Sequence, residues 1–251
     1  MEDIADLQSD LDQLVVWEKL WSMEFHPDKC FLLRVTNKRK CLEGNYTIHN
    51  QVLKQVDKAK YLGVTLSKDL SWKHHVNVIT SKATNTRLFL QRNLTFADSE
   101  TKLKCYKAYV RPIVEYASSV WNPVNNSSLT KKIESVQRKS LRWIYKKWSY
   151  TVSPTDLQKQ SGLSTLESRR ESSRLKMFYD LFYKKKHVSI ECMPTRQRCL
   201  NLKFNPIRGS IKSFENSFFP DVVKCWNNLK PSTLNETNEN QFLNKIRELE
   251  Y

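Results

Sequence analysis

Between residues 131 and 148, five cations (Lys131, Arg138, Lys139, Arg142 and Lys146) gather on one side of a helix when projected at about 100° per residue, opposite an apolar stripe. Tyr145 borders them. Lysine and arginine so arranged suit the phosphates of a nucleic-acid backbone, and the neighbouring ring suits base stacking. A solvated charged face is the plainer alternative, because charge runs carry no code by themselves. The second candidate is Lys60-Tyr61-Leu62-Gly63-Val64. Glycine there either allows close backbone approach to a ligand or simply kinks an edge strand. His74-His75, at a helix start, read as cap or packing residues rather than metal ligands. His187, Cys192 and Cys199 come nearest to a metal cluster, but their spacing fits no common zinc pattern, so no zinc is expected. The basic portion offers no clustered Asp/Glu/His set, which serves an independent nuclease poorly.

The charge is unevenly placed. The chain carries +16 over 251 residues, yet the first 28 set Lys19 alone against eight acids, so that the remainder carries +23. An excess of that size points to a polyanionic partner, since neutralising phosphates releases counterions and long-range attraction speeds encounter. A membrane surface is the rival polyanion. No apolar run approaches the ~20 residues needed to span a bilayer and no amino-terminal signal is visible, so no membrane partner is expected. Six cysteines without a C-x-x-C pair then read as reduced thiols of an intracellular protein, with nucleus and cytoplasm both open. The sequence assigns no oligomeric state.

The elements that must hold these residues follow from periodicity. Ile4, Leu7, Leu11, Leu14 and Trp21 recur at helical spacing, predicting an amphipathic helix from 3 to about 23, before Pro27. Short alternating stretches at 31–35, 46–48, 52–56 and 61–66 predict a small antiparallel sheet, punctuated at Glu43-Gly44-Asn45, His49-Asn50 and Asp57. From Ser71 the period becomes helical. Trp72, Val76, Ile79, Ala83 and Leu90 mark a helix capped by Ser71. Leu103, Tyr106, Val110, Val114, Ala117 and Trp121 mark one capped by Asp98 and kinked at Pro112. Leu129, Ile133, Val136, Ile144 and Trp148 mark a third, ending near Ser149. Ser153-Pro154 starts a short helix that Gly162 stops, and Ser164-x-x-Glu167 reads as a capping box opening a helix through about Tyr183. Residues 187–215 read as irregular and basic, followed by a helix containing Trp226 and a last one near 241–249. Trp121, Trp143 and Trp226 are expected in the core.

Five stretches in order, Lys60-Tyr61-Leu62-Gly63-Val64, Arg111-Pro112 with Glu115-Tyr116, Val136-Gln137-Arg138-Lys139, Glu167-x-Arg169-Arg170-x-x-x-Arg174-Leu175, and Ser217-Phe218-Phe219-Pro220 with Trp226-Asn227-x-Leu229, resemble the region downstream of the catalytic aspartates in reverse transcriptases of non-LTR retrotransposons, most closely jockey-like elements. The likeness runs over nearly the whole chain. It implies an α+β, mainly helical fold: a partial palm over 1–66 (a helix plus the small antiparallel sheet), a helical thumb-like region over 69–150, and a helical and irregular carboxyl-terminal region over 151–251. It also implies that Lys60, Tyr61 and Gly63 belong to a primer-grip turn and that Arg138, Lys139, Arg142 and Lys146 contact an RNA or DNA template-primer. Lys29 matches a lysine that protonates departing pyrophosphate; a plain surface lysine is the alternative. The family's Tyr/Phe-Ala-Asp-Asp motif, which binds magnesium for nucleotidyl transfer, has no counterpart here, and His26 stands where Asn is usual. The expectation is a truncated RNA-directed DNA polymerase that keeps template-primer binding without catalysis and holds no cofactor in this chain. The rival is a non-catalytic basic module that binds nucleic acid or another protein, within which Ser153 to Arg174 could pass for a helix-turn-helix.

Overall fold

The computed structural model describes residues 2–36, 44–149, 152–184 and 203–248. It is mainly helical, with short strands confined to the amino-terminal part. The chain divides into two compact units, Met1–His74 and His75–Tyr251.

In the first unit, α1 (Glu2–Leu20) precedes β1 (Phe31–Leu33), β2 (Thr47–Ile48), β3 (Gln51–Val52), β4 (Lys54–Val56), β5 (Lys58–Tyr61) and β6 (Val64–Ser67). The strands form three separate pairs, and one pair is parallel, so the expected small antiparallel sheet is corrected in two respects. β2–β3 and β5–β6 are antiparallel hairpins, whereas β1 and β4 pair in parallel, Phe31 opposite Lys54 and Leu33 opposite Val56. A parallel partner needs a crossover, and here the chain passes through hairpin β2–β3 before β4 returns beside β1. The hairpins turn at His49-Asn50 (φ 51° and 61°) and Leu62-Gly63 (φ 44° and 85°). Two successive left-handed residues give the tight reversal whose twist matches that of the flanking strands.

The α1 face differs from the expected stripe. Its inner line runs Ile4, Gln8, Leu11, Val15 and Glu18, and two of these are polar. Gln8 acts as a strand edge, accepting from the Thr47 amide at 2.9 Å and donating to the Thr47 carbonyl at 3.1 Å. The buried Glu18 carboxylate meets His49 Nε2 at 2.9 Å and accepts the Phe25 amide at 3.0 Å. Leu7, Leu14, Trp17 and Trp21 remain exposed, Trp21 by 63%.

The second unit begins near the start of α2 (Lys73–Asn93), which buries His75, Val76, Ile79, Ala83 and Leu90. Ser71 is not at its first turn; the Ser71 amide donates instead to Asp69 at 3.0 Å. Asp98 caps α3 (Ser99–Cys105), accepting from the Thr101 amide at 3.2 Å as expected. The predicted kink is a change of register. Tyr106–Val110 winds in the wider π form, α4 (Arg111–Glu115) restarts with Pro112, and left-handed Ala117 (φ 52°) turns the chain into α5 (Ser118–Trp121). Pro112 has no N–H to give, and the wider turn before it absorbs the lost bond.

Asn126 caps α6 (Ser127–Ile144), which ends five residues before Ser149 and leaves Trp148 exposed. Then come α7 (Pro154–Ser161), capped by Ser153 and ended by Gly162 at φ 62°, and α8 (Leu166–Tyr183). Thr165, not Ser164, caps α8, accepting from the Ser168 amide at 3.0 Å. Of the segment expected to be irregular, residues 187–202, with His187, Cys192 and Cys199, lie outside the described residues. The described remainder leads to α9 (Lys212–Glu215), α10 (Phe218–Asn227), α11 (Pro231–Leu234) and α12 (Glu239–Glu248). Phe178, Tyr179, Phe204, Trp226 and Phe242 centre an aromatic core here, with Phe178 edge-on to Trp226 at 5.1 Å. Trp121, Trp143 and Trp226 are all buried, as expected.

A large apolar side chain left in water forgoes about 1.5–3 kcal/mol, and α1 leaves several so. Amide hydrogens of residues 7–20 are therefore expected to exchange on the order of tenfold or more faster than those of 76–90 in a monomeric sample followed by mass spectrometry. Equal protection would show that α1 is held by more than its two polar clips.

Candidate nucleic-acid interface

Within α6 the stretch Val136-Gln137-Arg138-Lys139 divides between interior and solvent. Val136 and Gln137 are buried, and Arg138 and Lys139 are exposed. Gln137 is enclosed by hydrogen bonds: Oε1 accepts from the Tyr106 hydroxyl at 2.8 Å and Nε2 donates to the Ser164 carbonyl at 2.9 Å. The bond across to the π segment and the bond to the α7–α8 turn hold α6 in one rotation about its axis. That rotation sends Lys131, Arg138 and Lys139 outward. Burial lifts the Tyr106 phenol far above its ordinary range, so it stays a donor.

The predicted cations do not all behave alike. Arg138 donates to the Lys131 carbonyl at 3.3 Å and remains exposed. Arg142 is half-buried and closes the loop after α6, donating to the Ser149 carbonyl at 2.9 Å. Lys146 has left the helix, at φ 52°, and is exposed. Among the described residues, none of Lys131, Arg138, Lys139, Arg142 and Lys146 forms an ion pair with a carboxylate. Periodicity missed Lys102, buried in α3, with Nζ 3.5 Å from the Thr95 carbonyl. Desolvation, and then the nearby Lys146 charge, lower its pKa.

In the amino-terminal unit, Lys60 and Tyr61 end β5 and Gly63 completes the turn into β6. The stretch 61–66 is thus a hairpin reversal rather than one strand. Tyr61 and Leu62 stand exposed at its tip by 68% and 74%. Lys29 is exposed at the end of a short 3-10 turn over Pro27–Lys29. His74 Nδ1 lies 3.2 Å from Lys58 Nζ, and His75 packs on the Trp121 ring at 5.2 Å, so both serve local structure.

The pattern has relatives. A probable RNA-directed DNA polymerase from transposon BS of Drosophila melanogaster is 28% identical over 183 residues, which is 69% of this chain and 20% of the relative. The RNA-directed DNA polymerases from mobile element jockey of Drosophila funebris and Drosophila melanogaster are 30% and 27% identical over 55% and 56% of this chain, and 15% of each relative. The chain is similar to the reverse transcriptases of jockey-like, non-LTR retrotransposons. It spans a fifth or less of the length of these relatives. No family model and no solved structure matches it.

The fourth stretch of the resemblance, Glu167-x-Arg169-Arg170-x-x-x-Arg174, is structural in this chain. Arg169 holds the Glu115 carboxylate through Nε and, at 3.1 Å, through Nη2. Arg170, fully buried, donates to Asn122 Oδ1 at 3.0 Å. Arg174 meets Asp221 at 2.9 Å, donates to the Ser119 carbonyl, also at 2.9 Å, and lies over the Phe218 ring at 5.1 Å. The three arginines bolt α8 to α4, α5 and α10. Arg170 and Arg174, within the stretch 153–174 that could pass for a helix-turn-helix, are buried and committed to these internal contacts.

Glu134 accepts the Glu167 amide at 2.7 Å. Burial pushes its carboxyl up, opposed by that amide and by the Arg170 charge. A carboxyl with a raised folded pKa gives its full contribution below the unfolded value, 4.5, and loses it as pH rises through the folded value. Glu134→Gln keeps an oxygen to accept the Glu167 amide and removes the charge. The variant is expected to be more stable than the parent to urea at neutral pH, with the gain vanishing below about pH 4. A gain that grew on acidification would refute this reading of the carboxyl.

Proposed function

We propose that this chain is the template-primer-binding part of an RNA-directed DNA polymerase of a non-LTR mobile element, and that it does not itself carry out nucleotidyl transfer. The observation that carries the reading is the divided Val136–Lys139 stretch: Gln137 is locked inside, so Arg138 and Lys139 face solvent with no carboxylate partner among the described residues. The names of the relatives support it, as does the +16 charge. In this reading residues 1–66 are palm, with the Leu62-Gly63 turn as primer grip, 69–150 are thumb-like, and 151–251 form the carboxyl-terminal region. Lys60, Tyr61 and Gly63 approach one strand, and Arg138, Lys139, Arg142 and Lys146 contact phosphates. Lys29 is kept as an accessory proton donor. The non-catalytic basic module remains the second reading, favoured by the same exposed cations.

The residues present do not fit magnesium. The sequence has no adjacent aspartate pair, and among the described residues no group of three or more His, Cys, Asp and Glu side chains could hold a metal ion. Glu115, Asp180 and Asp221 are already engaged by arginine or lysine. Among the described residues, no helix is long and apolar enough to cross a membrane.

Binding to a short poly-rA/oligo-dT hybrid should fall with salt at a log-log slope near −3 to −5, for roughly 4 to 6 phosphates. Reversing Lys131, Arg138 and Lys139 to Glu should weaken it by about tenfold or more, well beyond the same reversal at Lys54, Lys224 and Lys230. Equal losses would place the site off α6.

Primer extension on the same hybrid with magnesium and dTTP should stay at background for the 251-residue chain, because paired carboxylates are needed to hold the metal ions that would clamp the attacking and leaving oxygens. Incorporation that survives repurification would overturn the division of labour.

A further inference from the structure

A second cationic site lies apart from the exposed α6 face. A cleft of about 410 Å³ opens between the π segment, the α7–α8 turn and α8, and Lys107, Arg111, Ser164, Arg169, Ser173 and Lys176 line it. Its floor is fixed by the Gln137 bonds: Tyr106 turns inward to Gln137 while Lys107, the next residue, is exposed, and Gln137 also holds the Ser164 carbonyl.

The lining is not neutralised by its own acids. Lys176 is balanced, between Asp180 at 2.6 Å and Glu239 at 2.8 Å. Arg111 and Arg169 share the single Glu115 carboxylate, and Arg169 takes it with two N–H groups. Arg111 Nε stands 3.6 Å from that carboxylate, an ion pair beyond hydrogen-bond length, and is buried with no hydrogen-bond partner among the described residues. Lys107 has no carboxylate partner among the described residues. The cleft thus offers the Lys107 ammonium and serine hydroxyls beside two arginines that share one carboxylate, with two positive charges in excess. A tetrahedral oxyanion has the acceptors to meet them, whereas a carboxylate would bring only two oxygens to a site where Glu115 already fills one arginine fork.

We infer that this cleft binds a phosphate group of a nucleic-acid strand, a contact additional to the α6 face and resting on the proposed nucleic-acid-binding role. Amide chemical shifts of Lys107, Gly162 and Ser164 in the 251-residue chain test it, titrated separately with inorganic pyrophosphate, a short poly-rA strand and poly-glutamate. Pyrophosphate and poly-rA should both move these signals saturably. Lys107→Glu with Ser173→Glu, two exposed positions, should weaken both effects by about tenfold or more, as should the milder Lys107→Ala in the same direction. The poly-rA shifts should persist when Lys131, Arg138 and Lys139 are reversed.

If poly-rA binds the chain but leaves these amides unmoved, the cleft assignment is wrong and the binding role stands. If the chain binds no poly-rA at all, the binding role itself fails. A response to pyrophosphate alone would make the cleft a free-phosphate site, and a response to poly-glutamate alone a peptide site; either overturns the assignment to a strand.

Discussion

The helical part of this protein depends on one buried amide. Gln137 takes a hydroxyl from Tyr106 and gives an N–H to the Ser164 carbonyl, joining three elements distant in sequence. A buried polar group is tolerated when its bonds are made and costs about 1–3 kcal/mol when they are not. The π register of 106–110, the rotation of α6 and the position of the α7–α8 turn are therefore mutually constrained. Moving any of them strands a donor or an acceptor. The outward set of Arg138 and Lys139 is a by-product of that constraint, as is the floor of the cleft beside Lys107.

Positive charge is divided between two tasks. On α8 the arginines point inward and spend their donors on Glu115, Asn122, Asp221 and backbone carbonyls. The planar fork of arginine suits such buried bridging better than the point charge of lysine. On α6, Lys131, Arg138 and Lys139 point outward and, among the described residues, pair with no carboxylate. The +16 total thus overstates what is available to a polyanion, because part of it holds helices together.

The amino-terminal unit rests on a different principle. Gln8 and Glu18 clip α1 to hairpin β2–β3 through the Thr47 backbone and the His49 ring, while Leu7, Leu14, Trp17 and Trp21 stay exposed. Directional polar contacts set the position of the helix, with little apolar burial behind them.

Helices were legible wherever a cap or a breaker acts within a few residues. Asp98 caps α3, Ser153-Pro154 opens α7 and Gly162 ends it, because each acts through its own backbone and the next turn. The apolar spacing in the second unit was legible for the same reason, and so was the order of motifs shared with the mobile-element polymerases. Other features hang on partners remote in sequence. Periodicity gave α1 an inner face through Leu7 and Leu14, but Thr47 and His49 offered polar partners to Gln8 and Glu18, and the helix turned to meet them. Arg142 and Arg174 read alike as cations. Only the packed structure shows one closing a loop on Ser149 and the other clamped to Asp221, since charge is written in the sequence and the counter-charge that neutralises it is chosen by folding.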